Sequence, residues 1–179
     1  MTKLIDEAKG AVRFIDFGCG PAIGGLAWLE SYGTSSSRWT YMGIDASAEM
    51  RLMGKRLWES VVGEEVTARW ESDFGALDKA IGEDVDKQPA LVVLYFSYFF
   101  ANVSTRSAEA LAKQLCAMMC RHSSNRYILV VQQATTDADL NAYVVFRRIV
   151  SQQMHVVELS VEGLIEENSN LPFHEVFST

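Results

Sequence analysis

The sequence predicts an α/β fold with a central, mostly parallel sheet, helices on both faces and a terminal antiparallel strand pair. Three observations carry this. Short β-branched or aromatic runs alternate with amphipathic stretches, a glycine-rich turn joins the first run to the first helix, and after Ser151 the pattern changes to two-residue alternation.

The expected strands are Arg13 to Phe17, Thr40 to Ile44, Val66 to Trp70, Ala90 to Phe96 and Arg126 to Gln132. LVVLYF and YILVV, within the fourth and fifth, are almost wholly apolar, as strands covered on both faces must be, so both belong mid-sheet. Helical residues resume at Leu26 after the glycine turn. Between strands two and three, Met50, Met53, Gly54, Leu57, Trp58 and Val61 recur at helical spacing, with Ser47 as N-cap and Glu49 in the first turn. A second amphipathic helix lies within Ser104 to Arg121, with Leu111, Leu115, Met118 and Met119 on one face. A third, within Asp137 to Val150, opens on an acidic cluster. His155, Val157, Leu159 and Val161 then alternate with polar or smaller residues, and Phe173 to Phe177 forms a last short run, which together read as the antiparallel pair. Gly33 to Ser37 and Gly82 to Pro89 read as surface loops.

With 179 residues, 49% of them hydrophobic and 22% charged, the chain can bury one sizeable core, so residues 1–179 are expected to form a single domain. The formal net charge is -7, and the acids are spread along the chain, which argues against autonomous nucleic-acid binding. Three cysteines give no even disulfide framework and fit a reducing compartment. The opening MTKLIDEAKG alternates charge with apolar residues and contains no signal-peptide core, and the longest mainly apolar run, Ala90 to Ala101, is well short of the ~20 residues that span a bilayer. A cytoplasmic protein with no membrane partner is the expectation.

The most informative stretch is FIDFGCGPAIGG, Phe14 to Gly25. Glycines after a strand let the backbone approach a ligand, and the amides opening the next helix offer donors to it. The dinucleotide spacing G-x-G-x-x-G is broken, because Ile23 stands where its third glycine would be and the glycine comes at Gly24. Asp16, just before Gly18, suits a cation and repels a pyrophosphate. D-x-G-x-G at Asp16, Gly18 and Gly20 resembles the first motif of class I, Rossmann-like S-adenosylmethionine-dependent methyltransferases. Two further matches follow in chain order: Asp45, closing YMGID, and Ser72-Asp73-Phe74, after VTARW.

The resemblance implies that S-adenosylmethionine is the cofactor. It places Asp16, Gly18, Cys19 and Gly20 at the cofactor's amino acid part, Asp45 and Ala46 at the ribose, where a carboxylate accepts from two hydroxyls, and Asp73 and Phe74 at the adenine. Ser97 and Tyr98, at the end of strand four, become the reacting edge, with Ser97 also facing the cofactor. That end reads S-Y-F-F and lacks the prolines of the [D/N/S]-P-P-[Y/F/W] motif carried by amino-methylating nucleic-acid enzymes of this fold. More loosely, the run from DFGCGP through GIDAS to MGKRL is similar to methyltransferase-like proteins associated with the small ribosomal subunit.

Cys116 and Cys120 lie four apart on an apolar helix and Cys19 lies in the glycine turn, so neither these nor His122 form a paired zinc pattern, and no metal is expected. His155 and His174 show no partner in sequence and punctuate strand faces. The expected activity is methyl transfer to an unidentified acceptor, whether small molecule, RNA or protein. So little chain precedes Phe14 that a partner subunit or second copy is expected to help present the acceptor, docking around Tyr98 to Val103. Two alternatives stand beside this: a non-catalytic module of the same fold, acting as a partner, and a nicotinamide-dependent oxidoreductase.

Overall fold

Among the described residues seven strands form one sheet, in the order β3-β2-β1-β4-β5-β7-β6. The computed structural model describes residues 11–32, 38–63, 65–82, 90–133, 137–154, 157–159 and 173–178. β1 (Ala11–Phe17) runs parallel between β2 (Arg38–Ile44) and β4 (Leu91–Ser97). β3 (Thr67–Glu71) pairs parallel to β2, and β5 (Arg126–Gln133) parallel to β4. β7 (Phe173–Ser178) is antiparallel to β5, with Leu129 opposite Phe177, and β6 (Val157–Leu159) is antiparallel to β7. The chain builds outward from β1 to β3, then returns to place β4 on the other side of β1. This switch point opens a crevice at the carboxyl ends of β1 and β4.

Period-two alternation divides the sheet's side chains between two apolar layers. On one face α1 (Ile23–Tyr32) and α2 (Ala48–Val61) cover a layer that includes Phe14, Tyr41, Val93 and Tyr95. On the other, α3 (Leu77–Gly82), α4 (Thr105–Arg121) and α5 (Asp137–Gln153) cover Phe17, Leu94, Phe96 and Leu129. Phe96, fully buried, packs on Phe17, Phe100 and Phe146 at ring separations of 4.4 to 5.4 Å. Burying one such side chain contributes about 1.5–3 kcal/mol. Ser47 Oγ accepts from the Met50 amide at 3.2 Å to start α2, and Ser104 Oγ accepts from the Ser107 amide at 3.1 Å to start α4. Arg13, buried on β1, donates to the carbonyls of Ala80 and Ile81, using a cation where α3 leaves its last oxygens unpaired.

The five parallel strands match the expected runs within two residues at each end. Several other expectations need correction. Met50, Met53 and Val61 are 42%, 54% and 64% exposed, so they leave the core face of α2. Of the expected set, Gly54 and Trp58 do form its buried line, because Trp58 stacks on Tyr41 at 4.2 Å and sets the helix's rotation about its axis. α1 starts at Ile23, three residues earlier than expected. Gly82 ends α3, a helix that follows a 3-10 turn at Phe74–Ala76; neither element has enough residues to show a period in sequence. Residues 33–37 and 83–89, His155, and the part of the expected terminal strand beyond Leu159 lie outside the described residues. Among the described residues no helix is long and apolar enough to cross a membrane.

Candidate functional site

At the switch point lies a cleft of about 500 Å³ lined by Gly18, Ile44, Asp45, Ala46, Ser72, Asp73, Phe74, Ser97, Tyr98, Phe99, Asn102 and Val103. A volume of this size suits a small ligand. Seven of the residues singled out in sequence come together here: Gly18, Asp45, Ala46, Asp73, Phe74, Ser97 and Tyr98. They arrive from the ends of four strands.

The glycine turn takes its shape from backbone that side chains resist. Gly18 and Gly20 have φ of +70° and +49°, in the left-handed region. The Gly18 and Cys19 amides both donate to the Ile44 carbonyl, at 2.8 and 3.1 Å, which ties the turn to the end of β2. Asp45 completes the tie: its Oδ2 accepts from the Gly20 amide at 3.0 Å, and its Oδ1 accepts from the Ser47 amide at 2.8 Å. Arg51 donates to the Asp45 carbonyl oxygen and holds the first turn of α2 to the same point.

Asp16 and Cys19 do not line the cleft, contrary to the expected cofactor shell. Asp16 is 1% exposed, because its position in the β1 alternation turns it into the layer beneath α1. The Tyr41 hydroxyl donates to its Oδ2 at 3.2 Å. Burial pushes the Asp16 carboxyl up to about 7; the Tyr41 hydroxyl and the Gly25 amide pull it down, and the nearby Asp45 charge adds to the rise. α1 can come this close because Gly25 has no side chain: a Cβ there would lie 2.2 Å from the Tyr41 ring. Cys19 is also buried, and its thiol is pushed up to about 12 by burial and the charges of Asp16 and Asp45. Gly20 is likewise outside the lining and acts through its bond to Asp45.

On the far wall, Asp73 Oδ1 accepts from the Gly75 amide at 2.7 Å and caps the 3-10 turn, which sets Phe74 against Phe17 and Phe99. Ser97 Oγ donates to Gln132 Oε1 at 3.4 Å, the Tyr95 hydroxyl donates to the same oxygen at 2.9 Å, and the Tyr98 amide donates to the Gln132 carbonyl at 2.7 Å. Tyr98 is itself left-handed, at φ 52°, and opens a second 3-10 turn, Phe99–Asn102. That turn corrects the expected exposed edge: Tyr98 stays 41% exposed, but Phe100 is 1% exposed, packed on Phe96, Tyr143 and Phe146. Asn102 and Val103 belong to the Tyr98 to Val103 stretch expected at this edge and do line the cleft. Gln132 was not singled out in sequence as a site residue, and a polar residue closing the mostly apolar β5 was its only signal. Cys116 is buried and Cys120 exposed, and no group of three or more His, Cys, Asp or Glu that could hold a metal occurs among the described residues.

No protein-family model matches the chain, and no curated protein matches it. Solved structures do match. A candidate rRNA-methylase from Clostridium thermocellum superposes with a TM-score of 0.62 at 11% identity, over 98% of this chain and 93% of that one. A protein from Streptococcus mutans, solved in complex with S-adenosylhomocysteine, gives a TM-score of 0.56 at 12% identity, over 99% of this chain and 94% of that one. The chain spans about a fifth of PKMT2 from Rickettsia typhi, 22% of its length, at 17% identity over 74% of this chain and a TM-score of 0.43. The first two likenesses show that this chain shares its Rossmann-like α/β fold with those structures.

Proposed function

We propose that the chain is an S-adenosylmethionine-dependent methyltransferase acting on an acceptor not yet identified. The observation that carries this is the cleft at the switch point, where Gly18, Asp45, Asp73, Phe74 and Ser97 converge from four strand ends. The S-adenosylhomocysteine held by the Streptococcus mutans protein of the same fold supports it.

The residues present fit that cofactor. Each Asp45 oxygen accepts one backbone amide and keeps acceptor capacity for a ribose hydroxyl. Phe74 supplies an apolar wall for a purine beside Asp73, and Gly18 brings bare backbone to the cleft. When bound, S-adenosylmethionine supplies a methyl group activated by its sulfonium. The protein contributes alignment and an environment suited to dispersing positive charge, and no dedicated base is required. Ser97 and Tyr98 are the residues placed to meet the acceptor, and Asn102 extends that edge. An acceptor that is large or anionic would need a basic partner or a second copy to present it, given the net charge of -7.

A titration with S-adenosylmethionine, S-adenosylhomocysteine and nicotinamide adenine dinucleotide tests the reading. Binding of the first two and not the third is expected. Binding of the dinucleotide alone would overturn it.

A further inference from the structure

Position 98 carries a bulky side chain on backbone that glycine fits best. Tyr98 has φ 52° and ψ 17°, fixed by its own amide, which donates to the Gln132 carbonyl at 2.7 Å, and by the 3-10 turn Phe99–Asn102 that follows. Gly18 and Gly20 meet the same backbone demand without a side chain. Core packing does not account for the tyrosine. Its ring is 41% exposed on the cleft wall and, among the described residues, meets no other aromatic ring, whereas Phe99 touches Phe17, Phe74, Phe96 and Phe100. Phe99 also supports the glycine turn, since a Cβ at Gly18 would lie 3.2 Å from it. Strained residues of this kind cluster at ligand sites.

The rest of this edge sets the chemistry it can recognise. Ser97 is tied to Gln132, but the Asn102 carboxamide lines the same cleft and makes no hydrogen bond among the described residues, so it offers a donor and an acceptor side by side. The charged residues of the lining are Asp45 and Asp73, both acids, so among the described residues an anionic acceptor would meet repulsion there and no cation. We propose that Tyr98 is the platform on which the acceptor lies, and that the acceptor is a small, uncharged, planar ring whose polar edge pairs with Asn102. This rests on the methyltransferase reading and names the substrate class that it leaves open. Stacked rings gain more than their buried area alone supplies, so a planar ring is favoured over a saturated one of the same size.

The test is a ligand-observed NMR titration of the full chain, first saturated with S-adenosylhomocysteine so that the cofactor end of the cleft is filled. The probes are 2-pyridone, a planar ring with adjacent donor and acceptor; 2-piperidone, its saturated counterpart with the same edge; and picolinate, an anionic planar ring. 2-Pyridone should bind roughly three- to tenfold more tightly than 2-piperidone, and picolinate more weakly than 2-pyridone. Tyr98→Leu should remove the preference for the planar lactam, Tyr98→Phe should keep it, and Asn102→Ala should weaken both lactams alike. Tyr98→Gly gives an independent reading through stability: it relieves the backbone as it removes the ring, so its urea midpoint should not fall below that of the wild type. A lower midpoint would show that the ring serves the fold and would overturn the inference. Equal affinity for the two lactams, tighter binding of picolinate, or no binding of any probe to a chain that binds S-adenosylhomocysteine would also overturn it and leave the function standing. Absence of S-adenosylhomocysteine binding would overturn both.

Discussion

The Gly20 amide donates to Asp45 Oδ2 at 3.0 Å, across 25 residues of sequence, so the acid proposed to bind the ribose also closes the turn proposed to hold the rest of the cofactor. Asp45 therefore has a structural duty before any ligand arrives. Asp45→Ala should lower stability by about 1–3 kcal/mol, because the Gly20 and Ser47 amides lose their acceptor, and should weaken S-adenosylhomocysteine binding further. Asp45→Asn, which keeps one acceptor oxygen, should recover part of the stability and less of the binding. Urea denaturation alongside ligand titration separates the two effects; a variant unchanged in both would remove Asp45 from the site.

Gly20 should tolerate residues according to backbone angle and not size. Its φ is +49°, yet a Cβ there would meet nothing within 4 Å. Asn, which enters the left-handed region more readily than other side chains, should cost less than Ala, and β-branched Val should cost most, with about 1–2 kcal/mol at stake for an ordinary residue. Thermal unfolding of the three variants gives the order. Equal loss for all three would mean that a bulk clash, and not φ, governs this position.

Asp16 makes stability fall with rising pH. Below about pH 4 the folded and unfolded states both hold its proton; between about 4 and 7 only the folded state does; above about 7 the penalty for a buried carboxylate is constant. The full difference is on the order of 4 kcal/mol. Asp78 and Glu109 are held below the usual carboxylate range by Arg121 and Lys113 and slope the other way, but they are exposed and solvent-screened. The informative quantity is thus wild type against Asp16→Asn. The variant should gain on the wild type between pH 5 and pH 8 in urea denaturation, and parallel curves would show that Asp16 is ionised at both ends.

The parallel strands and the glycine turn were legible in sequence because each repeats a local rule, such as the apolar run in β4 or glycine where φ is positive. The cleft was legible where strand ends carry it: Asp45, Asp73 and Ser97 each follow their strand by at most two residues or close it. What was hidden depends on tertiary packing. Met50 and Met53 share the helical period with Trp58, and only the stacking of Trp58 on Tyr41 decides which flank of α2 is buried. Likewise Asp16 fits the motif perfectly well as a string, but its β1 parity puts it below the turn instead of in the cleft.

The three cysteines should differ sharply in reactivity. Burial pushes Cys19 up to about 12 and Cys116 to about 11, and both thiols are almost inaccessible, whereas Cys120 is exposed. Brief iodoacetamide treatment of the native protein at pH 8 should label Cys120 alone, and denaturation should release the other two. Metal analysis of the purified protein should find no stoichiometric zinc. Rapid native labelling of Cys19 would show that the turn opens far more often than its hydrogen bonds allow.

Gln132 holds two residues of the proposed reacting edge, Ser97 and Tyr98, together with the buried Tyr95 beside them. Its side-chain oxygen accepts from Tyr95 and Ser97, and its backbone oxygen accepts from Tyr98. The backbone bond survives any substitution, so a variant isolates the side-chain part. Gln132→Leu leaves the mostly buried Tyr95 hydroxyl short of its acceptor, at a cost of about 1–3 kcal/mol, and frees the Ser97 hydroxyl to rotate. Asp45, Asp73 and Phe74 follow β2 and β3, across β1 from the β5 residue Gln132, so S-adenosylhomocysteine affinity should change less than twofold, or by under ~0.4 kcal/mol on the tenfold-per-1.4 scale. Transfer of labelled methyl from S-adenosylmethionine into a cell extract should fall by at least tenfold. Gln132→Glu, which preserves an acceptor for both hydroxyls, should restore a substantial part. A Leu variant that loses cofactor affinity and transfer in equal measure would show instead that Gln132 supports the fold of the cleft as a whole.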